Sequence, residues 1–205
     1  MSKFDLKKEM SEFYSPPKGK FTIVDVPPIN FIMGDGAGNP NHNPQFQQIT
    51  EALYGLAYTI KFKSKALGND FVVAPLEGLW WAEDMDVFTL ERKDDWLWTL
   101  VMALPNWVTS ELVAEAHQEV ARKKDLPALS QLRFETYHEG LAVQSMYLGA
   151  YADEGPTIAA LHQFAKEQGY ALRGKHHEIY LGDPRRTAPE KLKTVIRQPI
   201  QKSAS

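Results

Sequence analysis

Residues 176–180 read His-His-Glu-Ile-Tyr inside a segment of β-forming composition. On a strand, alternate side chains share a face, so His176, Glu178 and Tyr180 point one way and His177 and Ile179 the other. A carboxylate in such a segment is costly to bury unless something pairs with it. Two readings follow: a ligand-facing acid whose partner is a cation, a water or a reacting group, or a polar stripe on a solvent-facing sheet. A second acid, Glu77, lies in residues 75–81 (PLEGLWW), at what reads as the corresponding place in the first half of the chain. If both acids share one apolar groove they cannot both ionise freely, which yields an acid and a base; otherwise Glu77 is a turn residue before Gly78. Trp80, Trp81, Trp96, Trp98 and Trp107 all fall in this half. Aromatic faces beside a carboxylate suit a planar cation, and core packing is the alternative use.

Other chemistries fall away. His176 and Glu178 give two metal donors where a zinc site wants three, and His42, His117, His138 and His162 are scattered, so no metal centre is expected. The glycines of residues 34–38 (GDGAG) lack both the dinucleotide fingerprint and the Lys-Ser/Thr of a phosphate loop. There is no G-x-S-x-G elbow and no cysteine. The absence of cysteine suits a reducing cytoplasm. A net charge of −3 argues against direct nucleic-acid binding, and no apolar run is long enough for a membrane span. With 205 residues and 43% hydrophobic content, the chain is long enough to bury a sizeable core.

The elements that must carry these residues follow from periodicity. Residues 1–19 read as an N-terminal arm ending at Pro16-Pro17 and Gly19. Residues 21–33 predict one strand bent at Pro27-Pro28, and residues 34–40 a loop. Phe46, Ile49, Leu53, Leu56 and Ile60 recur at helical spacing over 44–63. Strands are expected over 71–81 and 96–104, then a linking helix over 109–124 capped by Thr109 or Ser110. The order then repeats: a strand or hairpin over 132–151 broken at Glu139-Gly140, a helix over 154–168, and strands over 170–181 and 192–200. This predicts an α+β fold of two βαββ units, over 20–104 and 131–200, within one domain spanning 20–200, with a tail at 201–205.

Residues 143–151 (VQSMYLGAY), 153–156 (DEGP), 176–186 (HHEIYLGDPRR) and 191–200 (KLKTVIRQPI) resemble the GyrI-like small-molecule-binding domains, particularly their stand-alone branch. The first half adds residues 33–40 (MGDGAGNP), Leu53-Tyr54 and residues 75–81. The resemblance implies two βαββ units about a pseudo-twofold axis, with sheets lining a central groove and helices on the outer side. It implies a hydrophobic, often cationic, aromatic ligand with Glu178 at the groove floor, and neither cofactor nor metal. Tyr180 and Glu77 would assist Glu178, while Trp80, Trp81, Trp107, Tyr137, Met146, Tyr147 and His176 would contact the ligand. Tyr147 stands where many relatives carry histidine.

Members fused to a DNA-binding module act as drug sensors, and no such module is recognisable here. Stand-alone relatives include hydrolases that open the strained cyclopropane of DNA-alkylating compounds, and proteins that sequester toxins or inhibit gyrase. The expectations are therefore a cytoplasmic detoxifying binder, monomeric or homodimeric, that hydrolyses cyclopropane-bearing genotoxins, or a non-catalytic sequestering, sensing or gyrase-inhibitor-like protein.

Overall fold

A computed structural model describes residues 3–83 and 90–203. The first two residues of the expected arm and the last two of the expected tail lie outside them. In chain order the short helices α1 (Leu6–Glu9) and α2 (Ser11–Tyr14) precede strands β1 (Thr22–Val26) and β2 (Ile29–Ala37). Helix α3 (Pro44–Ala66), strands β3 (Leu76–Trp81) and β4 (Leu97–Leu104), helix α4 (Ser110–Lys123) and strand β5 (Arg133–Tyr137) follow. Then come β6 (Gly140–Leu148), α5 (Gly155–Glu167), β7 (Tyr170–Leu172), β8 (His176–Tyr180) and β9 (Lys193–Lys202). The fold is α+β, and the strand pairs within each unit described below are antiparallel. The chain divides into two compact units: Met1–Glu9 with Ile29–Tyr137, and Met10–Pro28 with His138–Ser205.

In the first unit β3, β4, β2 and β5 pair side by side. Helix α3 starts at Pro44, and the Asn43 side chain accepts from Gln45 N at 2.9 Å, which satisfies an orphan amide of the first turn. Its buried face, Ile49, Leu53, Leu56 and Ile60, packs on the sheet, and α4 lies alongside it. The stretch expected to be a loop at 34–40 is instead strand as far as Ala37. Its glycines serve close approach: a Cβ at Gly34 would stand 2.7 Å from Ile49 Cγ2, and one at Gly36 2.1 Å from the Trp98 ring. Composition read as a turn is a strand stripped of side chains to admit a helix and an indole.

In the second unit the order is β1, β6, β9, β8, with β7 also pairing β9. Val143, Leu161, Ala165, Ile196 and Ile200 form its core between α5 and the sheet, flanked by Phe21, Ile23 and Phe164. The bent first strand is therefore two strands. Pro27-Pro28 removes two ladder donors, and β1 pairs with β6 while β2 pairs with β4 and β5. The expected break at Glu139-Gly140 is not a hairpin turn either, since β5 pairs β2 and β6 pairs β1. Unit boundaries accordingly differ from the contiguous ones expected, and α4 belongs to the first unit. Residues 170–181 form two strands, separated at Gly174 with φ 60°.

One face of the second unit buries charge. Arg197 donates to Glu139 Oε2 at 2.9 Å, to Gln144 Oε1 at 3.0 Å and to the Phe13 carbonyl, while His177 Nδ1 lies 3.0 Å from Glu139 Oε1. Gln144 donates to the Glu12 carbonyl at 2.7 Å, so the network also fastens α2 and the buried Tyr14. Burial of Glu139 opposes its ionisation, but the charges and hydrogen bonds of His177 and Arg197 outweigh that and hold its carboxyl at about 2. Its folded pKa lies below the ordinary value of 4.5, so its contribution is complete above that value and is lost as pH falls toward 2. That contribution is about 3 kcal/mol. Urea denaturation of Glu139→Gln at pH 7 is expected to show a loss of that order, and the gap to the parent is expected to narrow progressively below pH 4.5. Gly36→Ala is expected to cost roughly 1–3 kcal/mol, read as a lowered thermal midpoint, because Trp98 is fully buried and cannot retreat.

Candidate functional site

Strand β8 presents His176, Glu178 and Tyr180 on one face and the buried His177 and Ile179 on the other. His176 Nε2 lies 3.1 Å from Glu178 Oε1, and Tyr180 donates its hydroxyl to Glu178 Oε2 at 2.7 Å. A carboxylate gripped from both sides keeps one rotamer. The Glu178 side chain is 13% exposed and that of His176 3%. Burial alone would raise the Glu178 pKa. The hydrogen bond and charge of His176, then hydrogen bonding with Tyr180 and Glu154, prevail and hold it below the ordinary 4.5.

The neighbouring strands and α5 complete this face. Register sets Ile196 of β9 opposite Glu178 and Thr194 opposite Tyr180, with Tyr147 of β6 opposite Thr194. Tyr147 donates to the Ala150 carbonyl at 3.0 Å, and burial, then the charges of Asp153 and Glu154, raise its pKa. Tyr151 packs edge-on against Tyr180 with ring centroids 5.4 Å apart. From α5, His162 meets His176 edge-on at 6.5 Å. Burial, then the charge of His176, lowers the His162 pKa to about 4, so this ring is neutral at physiological pH. The buried Nε2 of His162 and the buried hydroxyl of Thr194 find no hydrogen-bond partner among the described residues.

Of the residues singled out from sequence, His176, Glu178, Tyr180 and Tyr147 therefore share one face of the second unit. Met146 precedes Tyr147 on β6 and points to the opposite face, because strand side chains alternate. The remaining candidates lie in the first unit. Trp80 joins a packed aromatic cluster, its ring 6.1 Å from Phe46 and 5.8 Å from Trp96, with Trp98 5.3 Å from Phe46. Trp80 is 4% exposed, which is a core value. Glu77 is fully buried and alternates with Trp80, as Trp81 does. Trp107 lies beyond the far end of β4, donating to Ser64 Oγ at 3.2 Å and packing edge-on to Phe4. Tyr137 ends β5, on the sheet edge farthest from β3.

The registers also correct the pairing of Glu77 with Glu178. Gly38 N bonds the Trp96 carbonyl as Gly149 N bonds the Leu192 carbonyl, which aligns the two units residue by residue. Glu178 faces Ile196, the equivalent of Leu100, and the residue opposite Leu100 is Gly78. Glu77, opposite Val101, is the counterpart of His177 opposite Arg197. A shift of one residue on a strand reverses the face. The acid that does accompany Glu178 was missed: Glu154, 7% exposed, immediately before α5. Its signal was an acid at the helix start after a Gly-Ala-Tyr turn, a place that usually denotes capping alone. His162 and Tyr151 were likewise legible only as a helix residue and a strand end. Among the described residues no cluster of three or more His, Cys, Asp and Glu side chains could hold a metal ion, and no helix is long and apolar enough to cross a membrane.

Comparison with known proteins gives a consistent family. Solved structures similar to this chain include an uncharacterized conserved protein from Listeria innocua, 41% identical over 97% of this chain and 100% of that one, with a TM-score of 0.90. A hydrolase from Listeria innocua is 40% identical over 98% and 100%, TM-score 0.87. A further structure, also of a hydrolase from that organism, is 38% identical over 97% and 100%, TM-score 0.84. No protein of curated function matches the chain. The family model of the GyrI-like small molecule binding domain matches residues 19–201. The chain belongs to the GyrI-like small-molecule-binding domain family.

Proposed function

We propose that this protein binds a hydrophobic, aromatic or cationic small molecule against Glu178 and hydrolyses it, with detoxification of cyclopropane-bearing alkylators as its use. The observation that carries this reading is the carboxylate of Glu178, held ionised by His176 and Tyr180 at a position only 13% exposed. A fixed anion in a weakly solvated place attracts positive charge, or positive charge that develops during reaction, far better than one in water. Tyr147, Tyr151 and Tyr180 supply flat apolar surface with polar edges nearby. The two Listeria innocua hydrolases at 38% and 40% identity add weight to turnover over storage.

The reaction balances with water as the only co-substrate. Water oxygen bonds to the unsubstituted carbon of the strained ring and the ring C–C bond breaks. That electron pair moves through the conjugated system to the carbonyl oxygen, which takes the Tyr180 proton. Glu178 accepts the proton from water and passes it to Tyr180 along their 2.7 Å hydrogen bond, restoring both groups. A carboxylate with a depressed pKa is a modest base, so Glu178 acts mainly by orienting water and stabilising charge while ring strain drives the step. Tyr180 is assigned the donor role in place of Glu77, which is fully buried. The same depressed pKa would equally serve a non-catalytic protein that sequesters lipophilic cations.

Turnover separates the two readings. With excess cyclopropane-bearing alkylator, product analysis is expected to find ring-opened alcohol well beyond one equivalent, and a yield capped at one equivalent would leave only binding. Glu178→Gln and Tyr180→Phe are each expected to lower kcat by roughly 10²-fold or more. The acid limb of the pH–rate profile is expected below pH 4.5, since activity persists until Glu178 protonates. A limb near pH 6 to 7 would assign the essential group elsewhere.

A further inference from the structure

Helix α3 carries a row of exposed aromatic side chains. Tyr54, Tyr58 and Phe62 are 37%, 47% and 61% exposed. They stand four residues apart, so they share one stripe of the helix, and the Tyr58 and Phe62 rings lie 6.5 Å apart. Ile49, Leu53, Leu56 and Ile60 take the opposite side into the core. Exposed aromatics gathered in a row, rather than scattered singly, mark an interaction surface.

The ends of the row identify the partner. Exposed Glu51 lies three residues before Tyr54, and exposed Lys65 three residues after Phe62. Lys61 and Lys63 are turned aside, to Asp70 and to Glu115 and Glu119. In spacing the series Glu51, Tyr54, Tyr58, Phe62, Lys65 is symmetric about Tyr58, and in charge it is opposite at its two ends. Laid antiparallel on a copy of itself, it brings Tyr58 to Tyr58, Tyr54 to Phe62 twice, and Glu51 to Lys65 twice. Self-complementarity of one patch is the requirement of a two-fold isologous interface. A foreign partner would impose no such relation between the two ends of the row.

We propose that α3 is the contact of a homodimer, packing antiparallel on α3 of a second copy with Tyr58 on the two-fold axis. Three partly exposed aromatics per copy make a small interface, below roughly 1,200 Å² in total, so the dimer dissociates on dilution.

The chain has no cysteine, which makes single cysteines clean reporters. Oxidised Tyr58→Cys is expected to give a disulfide-linked dimer much faster than Ser110→Cys, an exposed control on α4. Glu51→Cys alone is expected to form no disulfide-linked dimer, yet to cross-link when mixed with Lys65→Cys. In sedimentation velocity the parent is expected to dimerise with rising concentration, and Phe62→Glu to weaken this by about tenfold or more. Lys65→Glu is expected to weaken it too, and Glu51→Lys added to Lys65→Glu to restore it. A parent that stays monomeric at about 100 µM overturns the proposal and leaves the row to a different protein. Association indifferent to Phe62→Glu, or Tyr58→Cys cross-linking no faster than the control, overturns it as well.

Discussion

Arg197 is buried among apolar strands, and a guanidinium there must be neutralised or the strand does not form. Glu139 supplies the charge, His177 bonds the second carboxylate oxygen, and Gln144 fills a remaining donor direction. These partners come from the turn before β6, from β6 itself and from β8, so satisfying one cation fixes three segments in register. With His177 committed to this face, alternation leaves Glu178 on the other. Glu178 thus inherits its orientation from an ion pair on the far side of the same sheet.

Two glutamates in one unit therefore keep different company. The Glu139 carboxylate is held between Arg197 and His177, while its carbonyl accepts from Arg173. Glu178 is gripped by an imidazole and a phenol, with a second carboxyl nearby in Glu154 and tyrosine rings around it. Both ionise below the ordinary range, so a depressed pKa does not distinguish a buttress from a site. What distinguishes them is the face: one is sealed beneath α2, and the other adjoins aromatic side chains and the buried Nε2 of His162 and hydroxyl of Thr194, which find no partner among the described residues.

Much of this was legible in the sequence. Alternation in HHEIY placed His176, Glu178 and Tyr180 together, helical spacing found α3, and an N-cap at Thr109 or Ser110 marked α4. The family resemblance, carried by the second-half motifs, agrees with the match over residues 19–201. Three things were hidden for physical reasons. Gly34 and Gly36 look like turn residues, because sequence does not reveal that an isoleucine and an indole need the space. Glu77 looked equivalent to Glu178 because both sit in strand-like segments, whereas the registers make Gly78 the counterpart of Glu178. Glu154 is close to Glu178 only through packing between α5 and the sheet, a contact 24 positions distant that periodicity does not encode.

The pairing of β1 with β6 and of β5 with β2 has a consequence for how the chain is made. Thr22 pairs with Gln144 and Ile32 with Phe134, so each sheet closes its outer edge with a strand distant in sequence. On the ribosome, β1 emerges first and waits, unpaired, while more than half of the polypeptide is synthesised before β6 appears. Such non-local pairing is slow, and an unpaired strand is a template for the wrong neighbour. The charged flank Lys18 and Lys20 and the two prolines after Val26 bound that waiting strand with residues that resist β-pairing between chains. The same topology means that neither unit can be expressed as one uninterrupted stretch of sequence, so nascent chains cut short before residue 140 lack the strand that β1 needs.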